Sequence, residues 1–327
     1  MKIVLSRTDS IGDVVLSLPV AGYLKKHFAA EIIFLCREYT RAVVEACEHV
    51  DMVLVREEVT KNPYLLEQQK AKAIIFLFPD RELASLAYKL KIPLRLGTAH
   101  RLHHWLYLNK RVFFSRRRSP LHESQLNFFL LKPWGISHIP SLQEISMYYG
   151  LTKIAKIKLK LAYRKRKYQI ILHPKSKLSG REWPLYKYYE LARALPEFDF
   201  WLTGTSQEGE AMRKELKELF ALPHVHDFTG KLKLSELLGL IHESHALVAA
   251  STGPLHLAAA LGKLAIGLFP PLRPIHPGRW APVGKNAVAL QARDFCFRCP
   301  GPSTCRCMDE IKVEVVRHKL QERLLPS

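Results

Sequence analysis

The amino-acid sequence predicts a protein of the α/β class with two domains, each built on a parallel, doubly wound sheet. One observation is that short apolar runs, which suit strands covered on both faces, alternate with amphipathic helical patterns. The other is that this alternation stops near the middle of the 327 residues and then starts again. We expect an N-terminal domain in residues 1–155, a C-terminal domain in residues 156–310 and a terminal helix in residues 311–327.

Composition and charge narrow the class of partner. Hydrophobic residues make up 48% of the chain, which is ample for packed cores. The sequence begins as a strand rather than as a signal peptide, and its apolar runs are shorter than a membrane span needs, so we expect a cytoplasmic protein. Lysine and arginine number 50 against 30 acidic residues, giving a formal net charge of +20. This excess indicates a polyanionic partner: nucleic acid, anionic lipid or a phosphorylated substrate.

The N-terminal half begins with a strand, a polar turn and a helix from residue 12 to residue 24. Further strands are predicted at residues 31–36, 52–55 and 73–78, after a first strand at residues 2–5. Asp13 lies in the first turn of the helix and is open to two interpretations: a charge that stabilises the helix terminus, or a carboxylate in the crevice at the carboxyl end of the sheet. The dinucleotide pattern G-x-G-x-x-G is absent, which argues against a nicotinamide or flavin cofactor.

A region of mixed basic and aromatic side chains occupies residues 98–118. It is either a surface for an anionic partner or a solvated loop. A helix is predicted at residues 122–131. Residues 134–167 lack a helical stripe and are predicted to be the linker between the domains.

The C-terminal half repeats the strand and helix alternation. Strands are predicted at residues 168–173, 198–202, 225–228, 245–250 and 264–269, and helices at residues 186–194, 207–220, 234–242, 255–261 and 312–325. The basic, polar loop at residues 173–184 follows the first of these strands. That position in an α/β domain is where a phosphate group is expected.

A strand, a sharp turn and a helix surround residues 251–254. Ser251 or Thr252 can cap the helix, Gly253 lets the backbone pass close to a ligand, and Pro254 suits a first helical position. The turn is therefore either a phosphate cradle at a helix N-terminus or an ordinary connection between strand and helix.

Cysteines crowd a short segment near the end of the chain. Its four members are Cys296, Cys299, Cys305 and Cys307. Their C-x-x-C and C-x-C spacing suits either a structural zinc ion or free thiols.

Three blocks of sequence, in this order, resemble the ADP-heptose:lipopolysaccharide heptosyltransferases, glycosyltransferase family 9. The first is RTDSIGDVVLSLP at residues 7–19, which is similar to the family signature R-x-D-x-[IL]-G-D-x-x-x-[ST]-x-P. The second is HP with REWP at residues 173–184. The third is STGPLHLAAALGK at residues 251–263, similar to D-[ST]-G-x-x-H-[LV]-A-A-x-L-G. The resemblance covers nearly the whole chain.

The resemblance implies the GT-B fold, in which two Rossmann-like, doubly wound domains face each other across a cleft. It implies an acceptor on the N-terminal domain, a nucleotide-sugar on the C-terminal domain and a terminal helix that crosses back. The implied reaction is inverting transfer of heptose from ADP-heptose to the lipopolysaccharide inner core (lipid A–Kdo or a core heptose), at the inner face of the inner membrane. No cofactor, divalent metal or nucleic acid is expected.

The resemblance also implies residue roles. Asp13 matches the catalytic base. The donor-binding residues are Ser176, Ser179, Arg181, Glu208, Ser251, Thr252, Gly253, Pro254 and His256, with the N–H groups of the 252–254 turn offered to the diphosphate. The basic region supplies the acceptor-binding residues Arg101, His103, His104, Arg116 and Arg117. His256 is open to a second role, a hydrogen bond to its own loop.

Two positions depart from the family pattern. Ser251 stands where the family has Asp and cannot supply that carboxylate to the nucleotide. Arg181 stands where the family has Lys; a guanidinium can still hold a phosphate, bidentately and with a different geometry. Two other classes remain open from sequence: a nucleotide-sugar epimerase of the same two-domain architecture, and a basic nucleic-acid-binding protein that is not an enzyme.

Overall fold

The computed structural model describes residues 1–116, 118–157, 163, 165–177, 180–293 and 306–325. Within the chain, contacts are dense inside Met1–Lys153 and inside Ile154–Ser327, which form two units. Five of the predicted positions lie outside the described residues: Arg117, Ser179, Cys296, Cys299 and Cys305.

The first unit contains one parallel sheet. Its strands are β1 (Lys2–Ser6), β2 (Glu31–Cys36), β3 (Met52–Val55), β4 (Ala73–Phe76), β5 (Leu94–Thr98) and β6 (Lys110–Val112). Its helices are α1 (Ile11–Val15), α2 (Leu18–Phe28), α3 (Arg41–Glu45), α4 (Arg56–Lys61), α5 (Tyr64–Glu67), α6 (Arg81–Lys89), α7 (Leu102–Tyr107), α8 (Glu123–Phe129) and α9 (Leu142–Ser146). In the described part of the unit the sheet has six strands in the order β3-β2-β1-β4-β5-β6.

The second unit repeats this arrangement. Its strands are β7 (Tyr168–His173), β8 (Phe198–Leu202), β9 (Val225–Asp227), β10 (Ala246–Ala250), β11 (Leu264–Phe269) and β12 (Ala287–Gln291). Its helices are α10 (Leu185–Arg193), α11 (Ser206–Glu215), α12 (Lys217–Ala221), α13 (Leu234–Glu243), α14 (Gly253–Ala260), α15 (Pro277–Trp280) and α16 (Val313–Leu324). The described strands lie in the order β12-β11-β10-β7-β8-β9.

The strand order places a crevice at the same point of each sheet. In both units the chain moves outward from the first strand in one direction, then returns and continues from the other side. The neighbours β1 and β4, and likewise β7 and β10, therefore flank a topological switch point. Ligands of open α/β sheets bind beyond the carboxyl ends of the strands at such a point.

Each sheet is covered by its own apolar core. In the first unit Val4, Ile33 and Ile74 from neighbouring strands pack with residues of α6. In the second unit Ile170, Phe200 and Val248 pack with residues of α10 and α16. Because both faces are buried, the central strands are continuous apolar runs, which is why their positions could be predicted.

The structure corrects the predicted elements in several places. β5, β6 and β12 were missed, because β5 includes an arginine and a glycine and the other two are half-exposed edge strands without a continuous apolar run. The helix predicted from residue 12 to residue 24 is two helices, with Ser17 at the N-cap of α2 and Pro19 in its first turn. The predicted linker contains α9, whose Ser141 and Glu144 form a capping box.

Candidate active site

Asp13 lies at the switch point of the first unit, in the first turn of α1 directly after the β1 loop. The hydroxyl of Ser10, the N-cap residue, donates a hydrogen bond of 2.6 Å to Asp13 Oδ2. The guanidinium of Arg7 donates to Asp13 Oδ1. The Asp13 side chain keeps 16% of its surface exposed. Its carboxylate is thus oriented at both oxygens and still reachable from solvent.

Arg7 is the organising cation of this site. Its side chain is almost fully buried, and its Nε donates to Asp9 Oδ1 at 2.7 Å. Its Nη1 donates to Leu77 O at 3.2 Å and to Asn127 Oδ1 at 3.0 Å. Its Nη2 donates to Asp13 and, at 3.2 Å, to Glu123 Oε1. An arginine has five N–H donors, so each donor of Arg7 is matched by an acceptor.

A second guanidinium extends this network. Arg116 forms an ion pair with Glu123 and donates to Leu77 O at 2.7 Å. Arg7 and Arg116 therefore share the buried carboxylate of Glu123, whose side chain is 1% exposed. This arrangement ties a predicted acceptor residue to the group that holds Asp13.

Burial and neighbouring charge perturb the ionisation of this network. Burial raises the pKa of Asp9 to about 6; the charge of Arg7 opposes this rise and that of Asp13 adds to it. Burial acts to lower the pKa of Arg7, but its ion pairs with Asp9 and Asp13 raise that pKa above its usual range. Arg7 therefore stays charged, whereas burial moves the pKa of Asp9 up to about 6.

The basic region at residues 98–118 contains both surface and core residues. Arg101 is exposed and His103 is half-buried. His104 is fully buried, with Nδ1 2.6 Å from Thr98 O, and burial lowers the pKa of its imidazole to about 4. His104 was predicted to bind the acceptor, but its burial places it in the core beneath α7, where a neutral imidazole holds the helix to β5.

In the second unit, the loop after β7 folds back on itself. Ser176 is buried, its N–H donates to Glu182 Oε1 at 2.8 Å, and its hydroxyl is 3.1 Å from both Gly180 O and Glu182 Oε1. Arg181 follows and is half-buried. A Cβ added at Gly180 would lie 3.3 Å from Ser251 O, so the loop after β7 runs against the turn after β10. The two predicted donor segments are therefore neighbours at the switch point.

The turn after β10 contains a buried hydroxyl. Thr252 is the N-cap residue of α14, yet its side chain makes no capping hydrogen bond, contrary to the predicted cap. Thr252 Oγ1 is buried and has no hydrogen-bond partner within the part of the chain that the structure describes. Pro254 lies in the first turn and has no N–H, so it cannot donate to a diphosphate as predicted. The first N–H groups of a helix lack partners within the helix, and in α14 these include those of Gly253 and Leu255.

Glu208 and His256 have structural contacts of their own. Glu208 Oε2 accepts from Thr205 N at 2.7 Å and from Thr205 Oγ1 at 3.0 Å, in the capping box of α11. His256 is buried on the first turn of α14, with its ring centroid 6.4 Å from that of Trp280. Contact of either residue with a nucleotide stays a prediction.

Among the described residues no group of three or more His, Cys, Asp or Glu side chains could hold a metal ion. Cys307 is buried at the start of a 3₁₀ helix, Cys307–Glu310, while Cys296, Cys299 and Cys305 lie outside the described residues. The zinc alternative therefore stays a prediction.

Comparison with known families identifies the class of protein that this fold and these loops define. The sequence profile of glycosyltransferase family 9 (heptosyltransferase) matches residues 65–301, which is most of the chain. The chain belongs to this family.

One curated relative and several solved structures are similar to this chain over most of its length. A Haemophilus influenzae protein provisionally named a glycosyltransferase is 28% identical over 304 residues, covering 86% of each chain. The solved glycosyl transferase family 9 protein of Veillonella parvula matches 100% of this chain and 97% of its own, with 18% identity and a TM-score of 0.75. The Escherichia coli heptosyltransferase WaaC, solved with ADP, matches with 18% identity, a TM-score of 0.70, and coverage of 98% of this chain and 99% of its own. These structures confirm the predicted GT-B-like fold.

Sequence reasoning assigned no role to Arg7, Asp9 or Glu123. Arg7 and Asp9 lie in the first sequence block, and Glu123 is the first residue of α8. Arg7 and Glu123 are 116 residues apart in the chain, so sequence spacing does not indicate their contact. A signal was present for Arg7, because a charged residue that directly follows a buried strand must find partners when the strand end is also buried.

Proposed function

We propose that this protein is an inverting heptosyltransferase that transfers heptose from ADP-heptose to a sugar hydroxyl of the lipopolysaccharide inner core, either lipid A–Kdo or a core heptose. The unit Met1–Lys153 binds the acceptor, and the unit Ile154–Ser327 binds the nucleotide-sugar. Membership of the heptosyltransferase family supports sugar transfer. The similarity to a heptosyltransferase solved with ADP supports an adenine nucleotide as the donor carrier.

Asp13 is the general base in this proposal. Its carboxylate takes the proton of the acceptor hydroxyl as that oxygen bonds to C1 of the heptose. The C1–O bond to the diphosphate breaks on the opposite face, so ADP leaves with the electron pair and the configuration at C1 inverts. The observation that carries the assignment is the orientation of Asp13 by Arg7 and Ser10 at a switch point, with part of the carboxylate exposed.

The second unit stabilises the departing diphosphate. The donors are Arg181, the hydroxyls of Ser179 and Thr252, and the backbone N–H groups at the start of α14. The Ser176 hydroxyl already donates within its own loop and would have to leave Gly180 O or Glu182 Oε1 to reach the diphosphate. The buried Thr252 hydroxyl supports this role, because a diphosphate oxygen would supply the hydrogen-bond partner that it lacks among the described residues. Cationic and N–H donors can offset the developing charge here without a divalent ion. Ser251 and Gly253 shape the turn, Glu208 contacts the nucleoside, and His256 lies behind the turn.

The acceptor is anionic and is held in a membrane. Arg101, His103, Arg116 and Arg117 bind its phosphate or carboxylate groups in the first unit. The formal charge of +20 supports peripheral association with the inner face of the inner membrane. No described helix is both long and apolar enough to cross a bilayer.

The assignment of the base is tested by Asp13→Asn. Removing the base is expected to lower kcat by about 10²–10⁴-fold while ADP binding, measured by calorimetry, stays within about twofold. Asp9→Asn is the matched control, because it removes a different carboxylate from the same guanidinium and should cost at least about tenfold less. Near-normal turnover of Asp13→Asn would contradict the assignment.

The reaction class is tested by incubating the protein with ADP-heptose in the presence and absence of acceptor. The proposal expects ADP release that depends on acceptor. Conversion of the donor without acceptor would indicate an epimerase, and neither reaction would point to a non-enzymatic role.

A further inference from the structure

An exposed apolar ridge lies on the first unit, and neither the proposed reaction nor the core accounts for it. We define the α7 ridge as Leu102, Trp105, Leu106 and Phe113. These side chains are 88%, 50%, 70% and 66% exposed. Leu102 and Leu106 are one helical turn apart, and Trp105 lies beside them on the same face. Phe113 completes the ridge, with its ring centroid 5.8 Å from that of Trp105.

The ridge is held in a defined conformation. The opposite side of α7 is anchored by His104 and by Leu108, which is 3% exposed. Trp105 Nε1 donates to Ala99 O at 2.9 Å, and the guanidinium of Arg111 lies 4.4 Å from the Trp105 ring centroid. The indole therefore has its polar atom satisfied and presents ring surface, an arrangement typical of residues at the boundary between water and an apolar phase.

The segment of chain that carries the ridge is basic, although Asp80 at the start of α6 lies close enough to His103 of α7 to act on its charge. Residues 83–122 contain no aspartate or glutamate, and they contain nine basic residues: Lys89, Lys91, Arg95, Arg101, Lys110, Arg111, Arg116, Arg117 and Arg118. Arg101 and Lys110 are exposed beside the ridge residues in the chain. An anionic lipid surface complements an apolar ridge with such a basic rim, because its acyl chains accept the protruding apolar side chains and its phosphates attract the basic residues around them.

Other occupants fit less well. A nucleic acid would satisfy the basic rim but would leave two protruding leucines without an apolar partner. A second copy of this chain packed about a twofold axis would bring one basic rim against another. A bilayer interface offers both acyl chains and phosphates.

We propose that the α7 ridge inserts into the interfacial layer of an anionic membrane, with its basic rim on the lipid phosphates. The inference deepens the proposed function, on which it rests, because a membrane-held acceptor requires the enzyme at that surface. The ridge adds burial of apolar side chains to the electrostatic attraction between the basic protein and the anionic membrane. Binding then has an apolar component that high salt does not abolish.

The test compares Leu102→Ser/Leu106→Ser with the natural protein in sedimentation with vesicles of phosphatidylcholine containing phosphatidylglycerol. Loss of the two leucines is expected to lower the partition coefficient by about tenfold each, or about 10²-fold together. Met147→Ser is the matched control, since Met147 is also an exposed apolar residue of this unit, at 69%, and should bind as the natural protein does. Brominated acyl chains should quench Trp105 fluorescence, and a Trp105→Phe variant should lose that quenching.

Equal vesicle binding by the double variant and the natural protein would overturn the proposal, and so would complete loss of the natural protein's vesicle binding in high salt. A dimer of the natural protein that is absent in the double variant, with vesicle binding unchanged, would indicate that the ridge contacts a second copy of the chain instead. ADP release with a delipidated acceptor is measured on the same preparations. The double variant should retain that activity. Vesicle binding that depends on the two leucines, without ADP release, would contradict the proposed function alone. ADP release together with vesicle binding that does not depend on the two leucines would contradict the role of the α7 ridge alone.

Discussion

Replacing Arg7 by lysine tests whether the buried guanidinium organises the candidate site. Arg7 donates to five acceptors, of which three belong to the carboxylates of Asp9, Asp13 and Glu123. Lysine retains the positive charge but has three donors on one nitrogen instead of five on a planar fork. At least two of the five hydrogen bonds are therefore lost, although Leu77 O and Glu123 keep their contacts with Arg116.

The magnitude follows from that count. A hydrogen bond to a charged group contributes about 1.5–3 kcal/mol, so the loss of two such bonds should lower the free energy of unfolding by about 3–6 kcal/mol. A domain of this size loses roughly 2–4 °C of melting temperature per kcal/mol, so the transition of the first unit should move down by about 10 °C. Because the guanidinium that orients Asp13 Oδ1 is removed, kcat should also fall, by about 10²-fold.

Calorimetric melting and ADP release measure the two effects. Arg41→Lys is the matched control: Arg41 is 43% exposed and pairs with Glu45 on the surface of α3, so its replacement should change stability by less than about 0.5 kcal/mol. If Arg7→Lys has the same melting temperature and kcat as Arg41→Lys, the prediction is wrong, because the five hydrogen bonds then do not require the planar guanidinium of Arg7.

Two further predictions concern buried polar groups. Thr252→Val removes a hydroxyl that has no partner in the described structure, so it should raise the stability of the free protein by about 1 kcal/mol and weaken ADP binding about 5–30-fold. The control is Thr203→Val, which removes a hydroxyl 2.9 Å from His173 Nδ1 and should only lower stability. Melting curves and calorimetric titration with ADP measure both effects, and unchanged ADP affinity in Thr252→Val would exclude a contact between Thr252 and the diphosphate. Asp9 keeps its proton to pH about 6 in the folded protein, but an aspartate in the unfolded chain releases it near about 3.9. The folded state therefore binds more protons between these values, and stability should fall as pH rises through this window, by about 3 kcal/mol in total. Asp9→Asn should lack this slope in urea titrations at pH 4 to 7; an identical slope in both proteins would contradict the assignment to Asp9.

Much of the fold could be predicted because its central strands are buried on both faces. β1, β2, β7 and β10 are short apolar runs that end at polar turns. The residues that follow β1, β7 and β10 were identified as site candidates. The edge strands β6 and β12 could not be found in this way, since one side of an edge strand meets solvent and the apolar run is broken.

The sequence by itself determined the alternating α/β architecture, the family and the position of Asp13 after the first strand. These depend on local patterns that are continuous in the chain. Only the tertiary structure decided that Arg7 and Arg116 share Glu123 in the charge network that holds Asp13. It also decided that Gly180 lies against Ser251. Finally, it decided that His104 of α7 is buried whereas Leu102 of the same helix is exposed. Such contacts join residues far apart in sequence or depend on which face of a short helix meets the core, and neither follows from composition or spacing.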